Sequence, residues 1–126
     1  MRTKKLSSIG EAVQQFRDAA ISKSIAANTA DDHNYHRQMS KAFWYLQSQG
    51  EGGRDAFDHL LSDDSHDVAN WVAAQLLSEG RREAIPVMEA HSNMGGLFGF
   101  GAQIVISEFK NGRLGSPFGT APTKSS

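Results

Sequence analysis

Apolar residues recur three and four positions apart along most of this chain, the spacing that gathers side chains on one face of a helix. The clearest run follows Asp63-Asp64-Ser65-His66-Asp67, where Val68, Val72, Ala73 and Leu76 share a face and small residues sit where a neighbouring helix would press closest. Acidic and polar residues at its start supply caps, and Gly80 ends it. Near the start of the chain, Ser7 and Ser8 are cap candidates, and Glu11 stands three residues beyond Ser8 as in a capping box. Ile9, Val13, Phe16 and Ala20 then predict a long first helix, with no Gly or Pro to interrupt it until past Ala27. Asn28, Thr29, Asp31 and Asp32 mark a break and a new cap. A second helix carries Tyr35, Met39, Ala42, Phe43 and Leu46 on one face and stops at Gly50.

Gly50, Gly52 and Gly53 read as a loop, followed by a short helix with Ala56, Phe57, Leu60 and Leu61 apolar. Pro86 lies within a helical run from Arg82 to Ala90. Proline is tolerated in a first turn, where its missing N–H would have no partner, so this helix starts no earlier than Arg82, with Ile85, Val87 and Met88 inward. The stretch from Asn93 to Gly101 is glycine-rich and reads as a loop of close backbone approach or positive φ. Ala102, Val105, Ile106 and Phe109 fit a last helix, stopped by Asn111-Gly112. A hairpin turning at Asn111-Gly112 is the alternative, since Ile104-Val105-Ile106 is β-branched. Arg113 to Pro117 makes a poor partner strand, which favours the helix. Residues 115–126, rich in Pro, Gly, Ser and Thr, read as a flexible tail behind a single domain over residues 1–114.

Composition narrows the class. With 126 residues, 39% of them hydrophobic and 21% charged, the chain suits one globular domain rather than a disordered segment. A net charge of −1 with scattered basic residues argues against nucleic acid and anionic membrane as partners. The absence of cysteine removes disulfides, thiolate catalysis and cysteine-zinc sites, and fits a reducing cytoplasm. The basic start, Met1 to Lys5, has no apolar run behind it, so no leader peptide is expected.

Candidate chemistry is sparse. Asp31, Asp32, His33 and His36 bring two carboxylates and two imidazoles together, with the histidines at a spacing that could share a metal. Asp63, Asp64, His66 and Asp67 could offer oxygen ligands to Mg²⁺ or Ca²⁺. Both clusters sit where helices begin, and capping accounts for them more simply. The run Gly99-Phe100-Gly101 has Ile104 where a nucleotide loop needs its third glycine, and no Gly-Lys-Ser/Thr follows. No serine sits in a Gly-x-Ser-x-Gly elbow. These absences point away from an enzyme and from any cofactor. Trp44 and Tyr45 flank core positions yet point off the face of Phe43 and Leu46, as interface anchors would. Packing against a neighbouring helix is the competing reading. Arg81 and Arg82 could rim such an interface, or form a solvated pair beside a turn.

From Ala42 to Leu114 the chain resembles a small, uncharacterised bacterial family with a HEAT- or armadillo-like α–α superhelix. The resemblance is carried by Val68-Ala69-Asn70-Trp71-Val72-Ala73-Ala74-Gln75-Leu76-Leu77, by Arg82-Glu83-Ala84-Ile85-Pro86-Val87-Met88-Glu89, and by Gly99 to Ile104 with Glu108 to Leu114. The chain departs from the pattern at Ala69, where such repeats often place an arginine, and at Trp44 and Tyr45, where the family suggests polar residues. The resemblance implies an all-α fold of five or six antiparallel stacked helices and a non-enzymatic, cytoplasmic protein-binding module, compatible with an immunity or adaptor role. An enzyme using metal or nucleotide at one of the Asp/His clusters is the alternative.

Overall fold

The computed structural model describes residues 5–121; Met1 to Lys4 of the basic start and residues 122–126 of the expected tail lie outside the described residues. All regular structure among the described residues is helical, so the fold is all-α as expected. Among the described residues six α-helices follow one another: α1 (Ile9–Ser24), α2 (Thr29–Ser48), α3 (Gly50–His59), α4 (His66–Ser78), α5 (Ile85–Ser92) and α6 (Gly96–Lys110). Single 3₁₀ turns occupy Leu60–Ser62 and Arg82–Ala84. Contacts group the chain into two compact units, one holding α1 to α3 with Phe118, the other spanning Leu60–Pro117.

In the first unit, Ser8 caps α1 by accepting the Glu11 N–H at 3.1 Å. The Glu11 carboxylate reaches back to the Ser7 N–H at 3.0 Å and to the Ser7 hydroxyl, one residue further out than the usual capping box. The helix stops at Ser24, a turn earlier than the lack of Gly or Pro suggests, and Asn28 opens α2 by accepting the Asp31 N–H at 2.9 Å. Phe16, Phe43 and Phe57 meet edge to face, with centroids 5.4 Å apart for Phe16–Phe57 and 4.8 Å for Phe43–Phe57. Phe118 completes this cluster, 5.5 Å from Phe16 and 5.0 Å from Phe43, and is only 5% exposed. The segment read as a flexible tail therefore contributes a core side chain.

The loop expected at Gly50 to Gly53 is instead the first turn of α3. Gly50 adopts φ +71° and lets the chain reverse directly out of α2. Gly53 is buried: a Cβ there would lie 2.0 Å from the Leu46 carbonyl oxygen, so α3 crosses the end of α2 at backbone distance.

In the second unit, Ser65 caps α4 by accepting the Val68 N–H, and Asp63 accepts the Ser65 N–H at 3.0 Å. Val68, Val72, Ala73 and Leu76 are buried, and so are Ala69, Ala74 and Leu77, which encloses α4 on more than the one face expected. Gly80, at φ +80°, ends it in a Schellman motif, with the Gly80 N–H on Leu77 O and the Arg81 N–H on Leu76 O, both at 2.9 Å. Pro86 sits in the first turn of α5, as its chemistry requires, with Met88 buried. The glycine-rich stretch is a loop only as far as Gly95, and Gly96 onward is helix. Asn111-Gly112 closes α6 rather than turning a hairpin: Gly112 has φ +71°, and the Arg113 N–H reaches Glu108 O at 2.9 Å.

Candidate functional site

The outer face of α6, with the turn before it, carries most of the large hydrophobic side chains exposed among the described residues; Ile21 and Ile25 are the others. Gly95 and Gly96, at φ +77° and +63°, swing the backbone from α5 into α6. Inward, Phe98 rests against His91 with centroids 5.1 Å apart, and Ala102 is fully buried. Gly99 is buried as well; a Cβ there would lie 3.3 Å from Ser92 O, which brings α6 close against the end of α5. Gln103 adds a hydrogen bond from its side-chain amide to Ser92 O at 3.1 Å. Outward, Leu97 is 90% exposed, Phe100 58% and Ile104 47%, with Met94 at 49% in the turn before the helix. Positions 97, 100 and 104 share one helical face, and Gly101 lies among them. From Asn93 to Ser107 there is no charged residue. A contiguous apolar patch of this kind is where soluble proteins meet partners.

Beneath this helix, His91 is buried at 4% exposure. Its Nδ1 lies 2.9 Å from Asn70 Oδ1, and its ring meets His66 edge-on at 5.5 Å. Burial first, and His66 second, hold its imidazole below the ordinary 6.5, with Asp67 opposing. Such a histidine stays neutral near pH 7 and serves as a packed polar group of the second unit.

Of the two residues expected as interface anchors, Trp44 is engaged within the chain. Trp44 is half-buried, edge-on to Phe43 at 4.8 Å, and its indole N–H donates to Phe118 O at 3.0 Å. Tyr45 is half-buried beside it. Arg81 pairs with Glu83 at 2.5 Å, and that hydrogen bond lowers the Glu83 carboxyl pKa. Arg82 stands over the Phe109 ring at 5.8 Å, on a groove of about 400 Å³ lined also by Leu77, Ile85 and Ile106. Trp44 and Tyr45 belong to the first unit, Arg81 and Arg82 to the second.

The acidic clusters are occupied by helix starts. Asp32 holds Lys23 at 2.7 Å, and this hydrogen bond keeps its carboxyl below the usual range. Asp31 is bonded to the cap residue Asn28. His36 tilts against Phe118, centroids 6.0 Å apart. Asp63 is used in the turn before α4. Among the described residues, no three of His, Asp and Glu converge as a metal site would require. No helix among them is long and apolar enough to cross a membrane.

No protein-family model, curated protein or solved structure matches the chain. The α6 face was readable in principle: Leu97, Phe100 and Ile104 stand at helical spacing. Their intervening glycines hid it, because glycine density reads as loop.

Proposed function

We propose that this chain is a non-enzymatic, cytoplasmic protein-binding module, an adaptor that engages its partner through the outer face of α6. The observation that carries this is the uncharged stripe of Leu97, Phe100 and Ile104, continued by Met94. Full burial would gain roughly 1.5–3 kcal/mol for Leu97 and about half that for each of the others, which are already about half out of water, and a partner would recover this in part. Successive helices packing on one another within each unit support a HEAT- or armadillo-like stack as the scaffold. Trp44 is better spent holding Phe118 than holding a partner, and Arg82 is placed on its own groove.

Site-specific photo-crosslinking in the native cell tests the reading. A photoreactive group at position 97 should give discrete protein adducts that the same group at Glu51, exposed on α3, does not. Adducts should disappear when Phe100→Asp is added. No adduct from position 97, or adducts equal at both positions, would overturn the assignment.

A further inference from the structure

We infer that the partner of the α6 face is a second copy of this chain, the two α6 helices crossing antiparallel about a two-fold axis between Phe100 and Gly101. This rests on the proposed binding role of that face and names its occupant. Gly101 provides an independent observation. It sits inside α6, its φ is not positive, and a Cβ placed on it would meet nothing within 4 Å. A mid-helix glycine costs about 1 kcal/mol relative to alanine, and here nothing within the chain requires it. Gly53 and Gly99, by contrast, are each pressed by backbone of their own chain. A hole on an exposed apolar face is explained if something outside presses into it.

The same face supplies the knob. An axis between positions 100 and 101 sets each Phe100 ring over the Gly101 of its mate and each Leu97 against Ile104 of its mate. Every contact then occurs twice, as an isologous interface requires. The absence of charge from Asn93 to Ser107 lets two identical faces meet without repulsion. The four large apolar side chains, exposed to this degree, present on the order of 500 Å², so the pair buries at most on the order of 1,000 Å², at the lower limit for a specific interface. That area suits a reversible dimer rather than an obligate one.

Sedimentation velocity of the full chain, from about 1 to about 200 µM, should show a concentration-dependent monomer–dimer equilibrium. Leu97→Asp and Gly101→Leu should each weaken it by at least about tenfold, the second because leucine fills the hole that receives Phe100. Gly101→Leu should leave the dilute monomer at least as thermally stable as wild type, because the position has room and the helix gains a better former. The chain has no cysteine, so introduced thiols report geometry cleanly. Mixed Leu97→Cys and Ile104→Cys copies should form the 97–104 disulfide faster than Leu97→Cys alone forms 97–97. A chain that is monomeric throughout, a dimer indifferent to both variants, or preferred 97–97 linkage overturns the inference. Adducts of other proteins at position 97 with a strictly monomeric chain would leave the binding role standing and remove only the second copy. An absence of both would remove the two together.

Discussion

His91 shows how one side chain ties sequence to solution behaviour. Its neutral ring is held by burial between Asn70, His66 and Phe98. The unfolded chain takes up a proton near pH 6.5 that the folded chain accepts only at lower pH. Stability from this group is therefore full above that value and declines as pH falls through it toward the folded pKa. Urea midpoints measured between about pH 7.5 and about pH 5.5 should fall more steeply for wild type than for His91→Gln, which cannot titrate. Equal slopes would place the pH dependence elsewhere. Trp44 makes a second residue-scale case. Trp44→Phe keeps a ring beside Phe43 but deletes the donor to Phe118 O, and should cost about 1 kcal/mol in urea denaturation. A neutral effect would mean that water replaces the bond freely.

At the scale of elements, the caps and stops were legible because their chemistry is local. Ser8 with Glu11, Asn28, Gly80 and Gly112 act within a turn of where they stand, and pattern alone locates them, whereas at α4 the cap expected of the acidic cluster is Ser65. The glycines of α3 and α6 misled for the opposite reason. A glycine announces freedom or closeness without saying which, and the closeness at Gly53 is to Leu46 on a different helix. Gly53→Ala should therefore destabilise the chain by roughly 1–3 kcal/mol, because α2 and α3 must part to admit a methyl group. Thermal melts of Gly53→Ala and Gly52→Ala would separate this from generic loss of backbone freedom, since a Cβ at Gly52 meets only the Ile9 side chain at 3.6 Å. If both variants melt alike, the close crossing is not what selects glycine. The α6 stripe was hidden by the same ambiguity, so the candidate site was less legible than the fold.

At the scale of the whole molecule, the helical class followed from periodicity, whereas the part played by Phe118 could not. Its partners Phe16 and Phe43 lie far away in sequence, and its neighbours Gly115, Ser116 and Pro117 carry the composition of a tail. Long-range contacts leave no local period to read. Phe118→Ala should cost about 3 kcal/mol, as expected for emptying a packed aromatic site. Truncation after Leu114 should cost at least as much in equilibrium unfolding, since it also removes the acceptor of Trp44. A truncated chain with wild-type stability would return the segment to the status of a loose end. The order of synthesis gives this arrangement a further meaning. At roughly 5–20 residues per second, Phe118 leaves the ribosome's catalytic centre about 3–12 seconds after His59. Until Phe118 follows, α1 to α3 lack the ring that completes their aromatic cluster, and exposed apolar surface of this kind makes an incomplete chain prone to aggregate. Translation that stops short of residue 118 would release a chain bearing the mark of its own incompleteness.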